Sequence, residues 1–356
     1  MAYPLDDVLR LNHVQVIGSH NSYHQRPAGR LARAFPIMEW QYDHPPLDVQ
    51  FEEQGIRQIE LDIFADPLGG RYANPVAIQV LGDPFDVPEL LLPGLKVLHV
   101  QDLDFRSTCW TFVDCLTTVQ RWSADNPDHL PIMILVEAKD SAVDITLPGV
   151  PPLTVPIEFD AEQLDMIDEE ILAVFPREQI TTPDDVRGSF DTLEEAVTTD
   201  GWPTLAESRG RVLFALDNGG RIKAAYETGH PSLRGRILFT DSSPGEPTAG
   251  FVKVNGPLGN VERIQDLVAA GFIVRTRADA DTREARNGDT TQRDAALASA
   301  AQYVSTDYPV PDPEFGTGYR VEIPGGQIAR CNPVSAPPEC EDSALEIRSP
   351  SVDPSS

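Results

Sequence analysis

The sequence predicts an α/β protein whose single domain is a distorted (β/α)₈ barrel of the TIM type. Eight short, β-rich apolar runs recur along the chain, and helix-like, polar or Pro/Gly-rich segments separate them, which is the pattern of a parallel sheet. The length of 356 residues fits a one-domain barrel with insertions. Polar side chains collect where the runs end, as they do at the active-site end of such barrels.

The eight runs predict the strands of the barrel. They cover residues 14–20, 58–64, 95–100, 131–137, 211–217, 236–241, 272–279 and 303–308. A further run, residues 250–256, could add a short strand or replace one of the eight. Apolar residues at helical spacing predict outer helices in residues 111–122, 161–175, 261–271 and 294–302.

Two segments are too long and too apolar to be plain βα turns, and both follow predicted strands. Residues 65–94 and 141–160 are therefore expected to be insertions at the rim of the barrel. We expect the barrel domain to span residues 1–340 and the polar residues 341–356 to form a disordered tail.

The charge balance limits the partners of the protein. With 28 basic and 56 acidic residues the net charge is −28, which argues against nucleic acid and against tight electrostatic adsorption to anionic membranes. An anionic substrate must therefore meet a locally positive site. No apolar run reaches the roughly 18 residues of a membrane-spanning helix, so the sequence indicates a soluble chain, and we expect a monomer.

The four cysteines form two short-range couples, Cys109 with Cys115 and Cys331 with Cys340. An even count in local pairs predicts two small disulfide loops, whereas a thiolate metal site usually has closer spacing. Disulfides indicate a secreted or periplasmic protein. The first residues lack the profile of a signal peptide, so we expect that such a peptide is missing from this chain or was replaced by the initial Met.

Polar residues at the ends of the predicted strands should converge at the mouth of the barrel, because residues two apart on a strand point to the same side. They are His20, Asn21, Glu60, Asp62, His99, Glu137, Lys139, Arg275, Arg277 and Asp279. A single residue of this kind is more often a structural histidine or a salt-bridge member, so the prediction of a site depends on the whole set. His24 is interpreted as a loop residue without a role in the site.

Three carboxylates in one mouth predict a bound cation. Two like charges about 4 Å apart repel by roughly 4 kcal/mol at an effective dielectric constant near 20. Asn21, Glu60, Asp62 and Glu137 offer only oxygen ligands, which suits Ca²⁺, whereas zinc would recruit histidines.

The histidines and the basic residues add the remaining elements of phosphoryl transfer. His20 and His99 stay free of the metal and can act as general base and general acid. Lys139, Arg275 or Arg277 can offset the charge of a phosphodiester.

Four ordered motifs, "GSHNSYH", "GIRQIELDIF", "LKVLHVQDLDF" and "LPIMILVEAKD", resemble the calcium-dependent phosphoinositide-specific phospholipases C, particularly the bacterial C1-like branch. The resemblance extends over residues 11–340, including "CNPVSAPPEC". It implies cleavage of phosphatidylinositol-type lipids to diacylglycerol and a cyclic inositol phosphate. It further implies that His20 is the base and His99 the acid, and that Ca²⁺ is held by Asn21, Glu60, Asp62 and Glu137. Candidates for phosphate or inositol contacts are Lys139, Lys253, Arg275 and Arg277.

Other functions remain open at this point. A glycerophosphodiester phosphodiesterase shares the barrel and the strand-two carboxylate pair but usually opens with "HRG", where this chain has "HNS". A glycosidase built on Glu60 and Glu137 would leave both histidines unexplained. A non-catalytic barrel that binds inositol lipids is a different class. The substrate could be a soluble phosphodiester, given the net charge, or a lipid if the apolar insertions contact a membrane surface transiently.

Overall fold

The computed structural model describes residues 3–34, 36–144 and 150–346. Their core is a nearly closed barrel of eight parallel strands, which confirms the predicted fold class. In chain order these strands are β1 (Val14–Ser19), β2 (Gln58–Phe64), β4 (Ile132–Ala138), β5 (Val212–Leu216), β6 (Leu238–Thr240), β7 (Phe251–Lys253), β8 (Ile273–Arg277) and β9 (Tyr303–Thr306); β3 (Lys96–Val97) and β10 (Ala329–Cys331) pair from outside this set.

The strand order is β6-β5-β4-β2-β1-β9-β8-β7, and a single bridge between Asp241 and Phe251 connects the two ends of this row. The contact between β1 and β2 is narrow, with Gly18 paired to Gln58. A Cβ atom at Gly18 would lie 1.9 Å from Oε1 of Gln58, so only glycine lets the two strands approach here. The narrow seam brings the residues that follow Gly18 next to those of β2.

The prediction that residues 95–100 form the third strand of the barrel is wrong. Residues 95–100 contain only the two-residue β3, which pairs antiparallel with the end of β2. The backbone is held instead by the rim insertion: the buried Lys96 donates to the carbonyls of Leu92 and Gly94 and lies 3.4 Å from the carboxylate of Asp66. The run at residues 250–256 supplies β7 in its place.

Strands β2 and β4 are in register along their whole length and position most of the acidic residues. Both are rich in Ile and Leu and are buried on both faces, as parallel strands covered by helices are. Asp62 pairs with Glu137 and Glu60 with Leu135. This register brings Glu60, Asp62 and Glu137 to the same end of the barrel.

Twelve α-helices surround the barrel in the described part of the chain. They are α1 (Gly29–Ala34), α2 (Leu47–Glu53), α3 (Val76–Leu81), α4 (Phe112–Asp125), α5 (Ala161–Val174), α6 (Pro183–Arg187), α7 (Leu193–Thr199), α8 (Leu205–Ser208), α9 (Gly220–Glu227), α10 (Val261–Ala269), α11 (Arg283–Asn287) and α12 (Thr291–Ala298). Helix α4 begins where the Thr111 side chain accepts the Asp114 N–H, and it buries Leu116 and Val119. None of the described helices combines the length and apolar character needed to cross a membrane.

Both predicted disulfides are confirmed, between Cys109 and Cys115 and between Cys331 and Cys340. The rim insertion at 65–94 contains α3, whereas residues 145–149 of the second insertion lie outside the described residues.

The expected tail differs from the structure in its first part. Leu345 and Glu346 are buried, because Glu346 forms an ion pair with Arg57 and accepts the Leu130 N–H. Residues 347–356 lie outside the described residues.

Candidate active site

A cavity of about 320 Å³ lies at the carboxyl ends of the barrel strands. Seven of the residues selected from the sequence line it: His20, Asn21, Asp62, His99, Glu137, Lys139 and Arg277. Glu60 and Arg275 lie directly beneath them, since Glu60 Oε1 is 3.8 Å from His20 Nε2 and Glu60 Oε2 is 2.5 Å from Arg275 Nη2. The other residues of the lining are Glu39, Trp40, Tyr42, Asp281 and Asp307.

His20 follows β1 directly and is oriented by a carboxylate. Its Nδ1 lies 2.6 Å from Oδ1 of Asp307, whereas its Nε2 is too far from Glu60 for a hydrogen bond. Burial and the nearby Arg277 together lower the pKa of His20 to about 3, against the opposing effect of Asp307. The ring is therefore neutral near pH 7, with the Nδ1 proton donated to Asp307 and Nε2 available to accept a proton.

Asp307 is itself held in place by the end of β8. Its N–H donates to Asp279 Oδ1 at 2.8 Å, and Arg277 Nη2 lies 3.4 Å from its Oδ2. Burial alone would raise the pKa of Asp307, but the contacts with His20 and Arg277 hold it well below its usual range. Asp307 therefore remains ionised beside His20.

Asn21 has an orphaned side-chain oxygen. Its backbone is left-handed, with φ of 44°, and its Nδ2 donates to the Tyr42 hydroxyl at 2.9 Å. The same amide's Oδ1 is buried and has no hydrogen-bond partner. An unsatisfied buried acceptor costs about 1–3 kcal/mol, so its position beside the acidic residues is a mark of a binding site.

The three carboxylates form one cluster. Glu60, Asp62 and Glu137 each offer an oxygen within 4.8 Å of the others. The Lys139 ammonium lies 3.3 Å from Asp62 and 3.3 Å from Glu137. Burial raises the pKa of Asp62 well above its usual range and that of Glu60 to about 7, against the opposing effects of Lys139 and Arg275 respectively. A further positive charge would stabilise this cluster in its ionised form.

The donor set fits a hard cation. Neither oxygen of the fully buried Asp62 accepts a hydrogen bond, and Asn21 Oδ1 is also unpaired. Glu60 uses one oxygen for Arg275 and keeps the other. Four residues with oxygen ligands and no sulfur or imidazole are the set that Ca²⁺ prefers. Asn21, Glu60, Asp62 and Glu137 would therefore hold it.

His99 reaches the cavity from the irregular segment after β3, not from the end of a barrel strand as predicted. Its Nδ1 lies 2.7 Å from Oδ2 of Asp104, and its ring lies 6.3 Å from that of Trp40. The His99 side chain is 20% exposed. Burial lowers its pKa, with Asp104 acting in the opposite direction.

His24 lies beyond β1, as expected of a loop residue, and it does not line the cavity. The side chain is fully buried. Its Nε2 is 2.8 Å from the same Asp104 oxygen that contacts His99, and its Nδ1 is 3.0 Å from the Tyr42 carbonyl.

The predicted basic residues differ in their positions. Lys139 and Arg277 line the cavity, whereas Arg275 is buried beneath it and also donates to Asn255 at 2.6 Å. Lys253 is not brought to the cavity, because its ammonium lies 2.6 Å from the Asp217 carboxylate and 2.7 Å from the Asp217 carbonyl. In the structure Lys253 is paired with Asp217 and does not reach the place where the substrate phosphate was expected.

Of the residues that sequence reasoning missed, four contact the histidines or Asn21 directly. Asp307 ends the eighth predicted strand, so its position alone could have identified it. Asp104 follows His99 by five residues within the same motif. Trp40 ends a single 3₁₀ turn, Met38–Trp40, and Tyr42 lies in the irregular segment after it, so neither has a periodic signal in the sequence.

Comparisons with known proteins bear on the fold and the family of the chain. A search of curated proteins gave no match. A calcium-dependent phosphoinositol-specific phospholipase C from the Gram-negative bacterium Pseudomonas sp. matches with a TM-score of 0.54 at 15% identity, over 92% of this chain and 97% of that one. A Ca²⁺-dependent phosphatidylinositol-specific phospholipase C from Streptomyces antibioticus matches with a TM-score of 0.52 at 17% identity, over 87% and 97%. At these identities the likeness shows a common fold.

The family model of the Ca²⁺-dependent phosphoinositide phospholipases C matches residues 9–333. This range contains His20, His99, the four candidate oxygen ligands and every strand of the barrel. The chain therefore belongs to the Ca²⁺-dependent phosphoinositide phospholipase C family, whose members are phosphodiesterases.

Proposed function

We propose that the protein cleaves phosphatidylinositol-type lipids to diacylglycerol and a cyclic inositol phosphate by general acid/base catalysis. One observation carries this proposal: two imidazoles, His20 and His99, line one cavity together with an acidic cluster. Each ring has its Nδ1 within 2.7 Å of a carboxylate oxygen, which leaves each Nε2 for proton transfer.

His20 serves as the general base. Its Nδ1–H donates to Asp307, and its Nε2 accepts the proton of the inositol 2-hydroxyl while that oxygen attacks the neighbouring phosphorus. Asp307 stabilises the imidazolium that forms, because it remains ionised at 2.6 Å.

His99 serves as the general acid. Protonated on both nitrogens, it donates the Nε2 proton to the diacylglycerol oxygen as the bond from phosphorus to that oxygen breaks. Burial lowers the pKa of His99, which makes its imidazolium a stronger acid. A phosphodiester anion bound beside the ring favours the protonated form before the reaction.

When bound by Asn21, Glu60, Asp62 and Glu137, Ca²⁺ neutralises phosphoryl charge and lowers the pKa of the attacking hydroxyl. Lys139 and Arg277 provide further positive charge at the cavity wall and are proposed to contact the phosphate or the inositol hydroxyls. Arg275 lies beneath the cavity and supports the site indirectly, through its ion pair with Glu60.

The protein is further proposed to be an exported monomer that contacts membrane surfaces transiently. Its two disulfides support an oxidising compartment. Leu68, Leu91 and Leu92 of the first rim insertion are exposed, which gives a lipid surface apolar side chains to contact.

Phosphorus NMR of phosphatidylinositol vesicles incubated with the protein tests the proposal. We expect a cyclic inositol phosphate signal in Ca²⁺ and none in excess chelator. Glycerophosphoinositol in place of the vesicles distinguishes a lipid enzyme from one acting on soluble diesters. Glycerol phosphate without ring closure, undiminished activity in chelator, or no product from either substrate would each contradict the proposal.

A further inference from the structure

A single carboxylate oxygen joins two imidazoles behind the cavity wall. Asp104 Oδ2 lies 2.7 Å from His99 Nδ1 and 2.8 Å from His24 Nε2. The other oxygen, Oδ1, is buried and has no hydrogen-bond partner. In the described part of the chain, the carboxylate is therefore oriented only by the two rings.

The backbone on either side of this carboxylate is rigid. Asp104 exchanges two backbone hydrogen bonds with Val100, both of 2.9 Å, which fixes the turn that directly follows His99. His24 pairs with Ser107 across the same segment. With the backbone fixed, the Asp104 side chain can still rotate. Its hydrogen bond with His24 prevents that rotation.

His24 is itself fixed on its second nitrogen. The Tyr42 carbonyl, 3.0 Å from Nδ1, and the Asp104 carboxylate at Nε2 can only accept hydrogen bonds, so both ring nitrogens donate. The ring stacks on that of Tyr42 at 4.2 Å and meets the edge of His99 at 5.5 Å. His24 is fully buried and does not line the cavity, so it does not touch the substrate.

We propose that His24 is a positioning residue that acts through Asp104 to hold His99 with its Nε2 facing the leaving group. This inference rests on the proposed function, because it gives His99 a supporting partner for the general-acid step. Asp104 fixes the tautomer and ring orientation of His99, and His24 fixes Asp104. A positioned acid requires such support, since proton transfer depends on hydrogen-bond geometry.

Two substitutions of His24 separate positioning from packing. In His24→Gln the amide nitrogen lies near the original Nε2 and keeps the hydrogen bond to Asp104 but not the one to Tyr42. In His24→Asn the amide nitrogen lies near the original Nδ1 and keeps the hydrogen bond to Tyr42 but not the one to Asp104. Each variant thus loses one of the two hydrogen bonds.

We expect His24→Asn to lower kcat on phosphatidylinositol by about 10- to 100-fold, as loss of an orienting partner usually does, with KM nearly unchanged. His24→Gln should lose several-fold less. The loss in His24→Asn should shrink on a p-nitrophenyl ester of inositol phosphate, because nitrophenolate leaves without protonation. Asp104→Asn, which keeps the backbone turn, should show the same dependence on the leaving group.

Equal losses in the Asn and Gln variants, or a loss that is the same on both substrates, would overturn the inference in favour of a packing role. A third variant, His99→Ala, shows whether only the positioning role of His24 is wrong or the proposed function as well. Full activity of His99→Ala on the lipid would contradict the proposed function itself. An impaired His99→Ala beside an unimpaired His24→Asn would overturn only the positioning role.

Discussion

Two clusters of polar side chains at opposite ends of the barrel differ in how far their buried atoms are hydrogen-bonded. At the carboxyl end several have no hydrogen-bond partner, namely Asn21 Oδ1, both oxygens of Asp62, Asp104 Oδ1, and the Nε atoms of Arg275 and Arg277. At the amino end Arg57 donates to both oxygens of Glu346 and to the carbonyls of Phe51 and Ile56. The nearby His129 uses both ring nitrogens, with Ser123 and with the Leu130 carbonyl.

This difference separates a binding surface from a structural one. Each unpaired buried polar atom costs about 1–3 kcal/mol, so the carboxyl end is less stable than it would be with its groups satisfied. A bound cation and a phosphodiester could satisfy these groups. The amino-end cluster of Arg57, Glu346 and His129 is already satisfied and should contribute stability without contributing to the reaction.

The largest effect is expected at the carboxyl end. His20→Ala should lower kcat by about 10² to 10⁴-fold, because a general base contributes that much, while the melting temperature stays close to that of the parent. Turnover of phosphatidylinositol and thermal unfolding measure the two quantities. His230→Ala, in the exposed loop before β6, is the matched control. Undiminished turnover in His20→Ala would remove the base from the mechanism.

The next effect is expected at the amino end, where a substitution should change stability and leave turnover unchanged. Glu346→Ala leaves the buried Arg57 unpaired and should lower the free energy of unfolding by about 3–5 kcal/mol, with kcat of the folded protein unchanged. Glu341→Ala, at an exposed position five residues earlier, should change neither quantity. Denaturant unfolding and turnover provide the comparison. Loss of turnover in folded Glu346→Ala would show that the two ends are not independent.

A smaller effect on stability is expected when the pH is lowered, and it comes from the buried His129. Burial lowers the pKa of His129 to about 4, with Arg57 acting in the same direction. Between this value and the ordinary pKa of about 6.5, the unfolded chain binds the proton and the folded protein does not, so stability falls as the pH falls. Between pH 6.5 and pH 5 this residue should cost about 2 kcal/mol.

His129→Asn removes this titration and should flatten the dependence of the unfolding free energy on pH by that amount. The difference between parent and variant isolates His129 from other buried histidines such as His44, whose pKa burial also lowers to about 4. Parallel pH curves for the two proteins would contradict the assignment.

The regular part of the site could be predicted from the sequence, because a strand fixes where its side chains point. Glu60, Asp62 and Glu137 come together through the register of β2 and β4. The irregular part could not be predicted in the same way. The apolar residues around His99 have the pattern of a strand, but Lys96 ties this segment to the rim insertion.

The partners of His99 depend on contacts that no periodicity encodes. His24 reaches Asp104 across 80 residues of sequence, and Tyr42 fixes Asn21 and His24 from a segment without regular structure. The motif therefore makes His99 a candidate, whereas the orientation of its ring is a property of the folded chain alone.

The ion pair between Arg57 and Glu346 also bears on the order in which the chain can fold. The two residues are 289 positions apart, so the ribosome releases Arg57 long before its partner exists. Until then, burying Arg57 would leave its charge uncompensated. The emerging barrel is thus biased towards an open amino end until Glu346 has been synthesised.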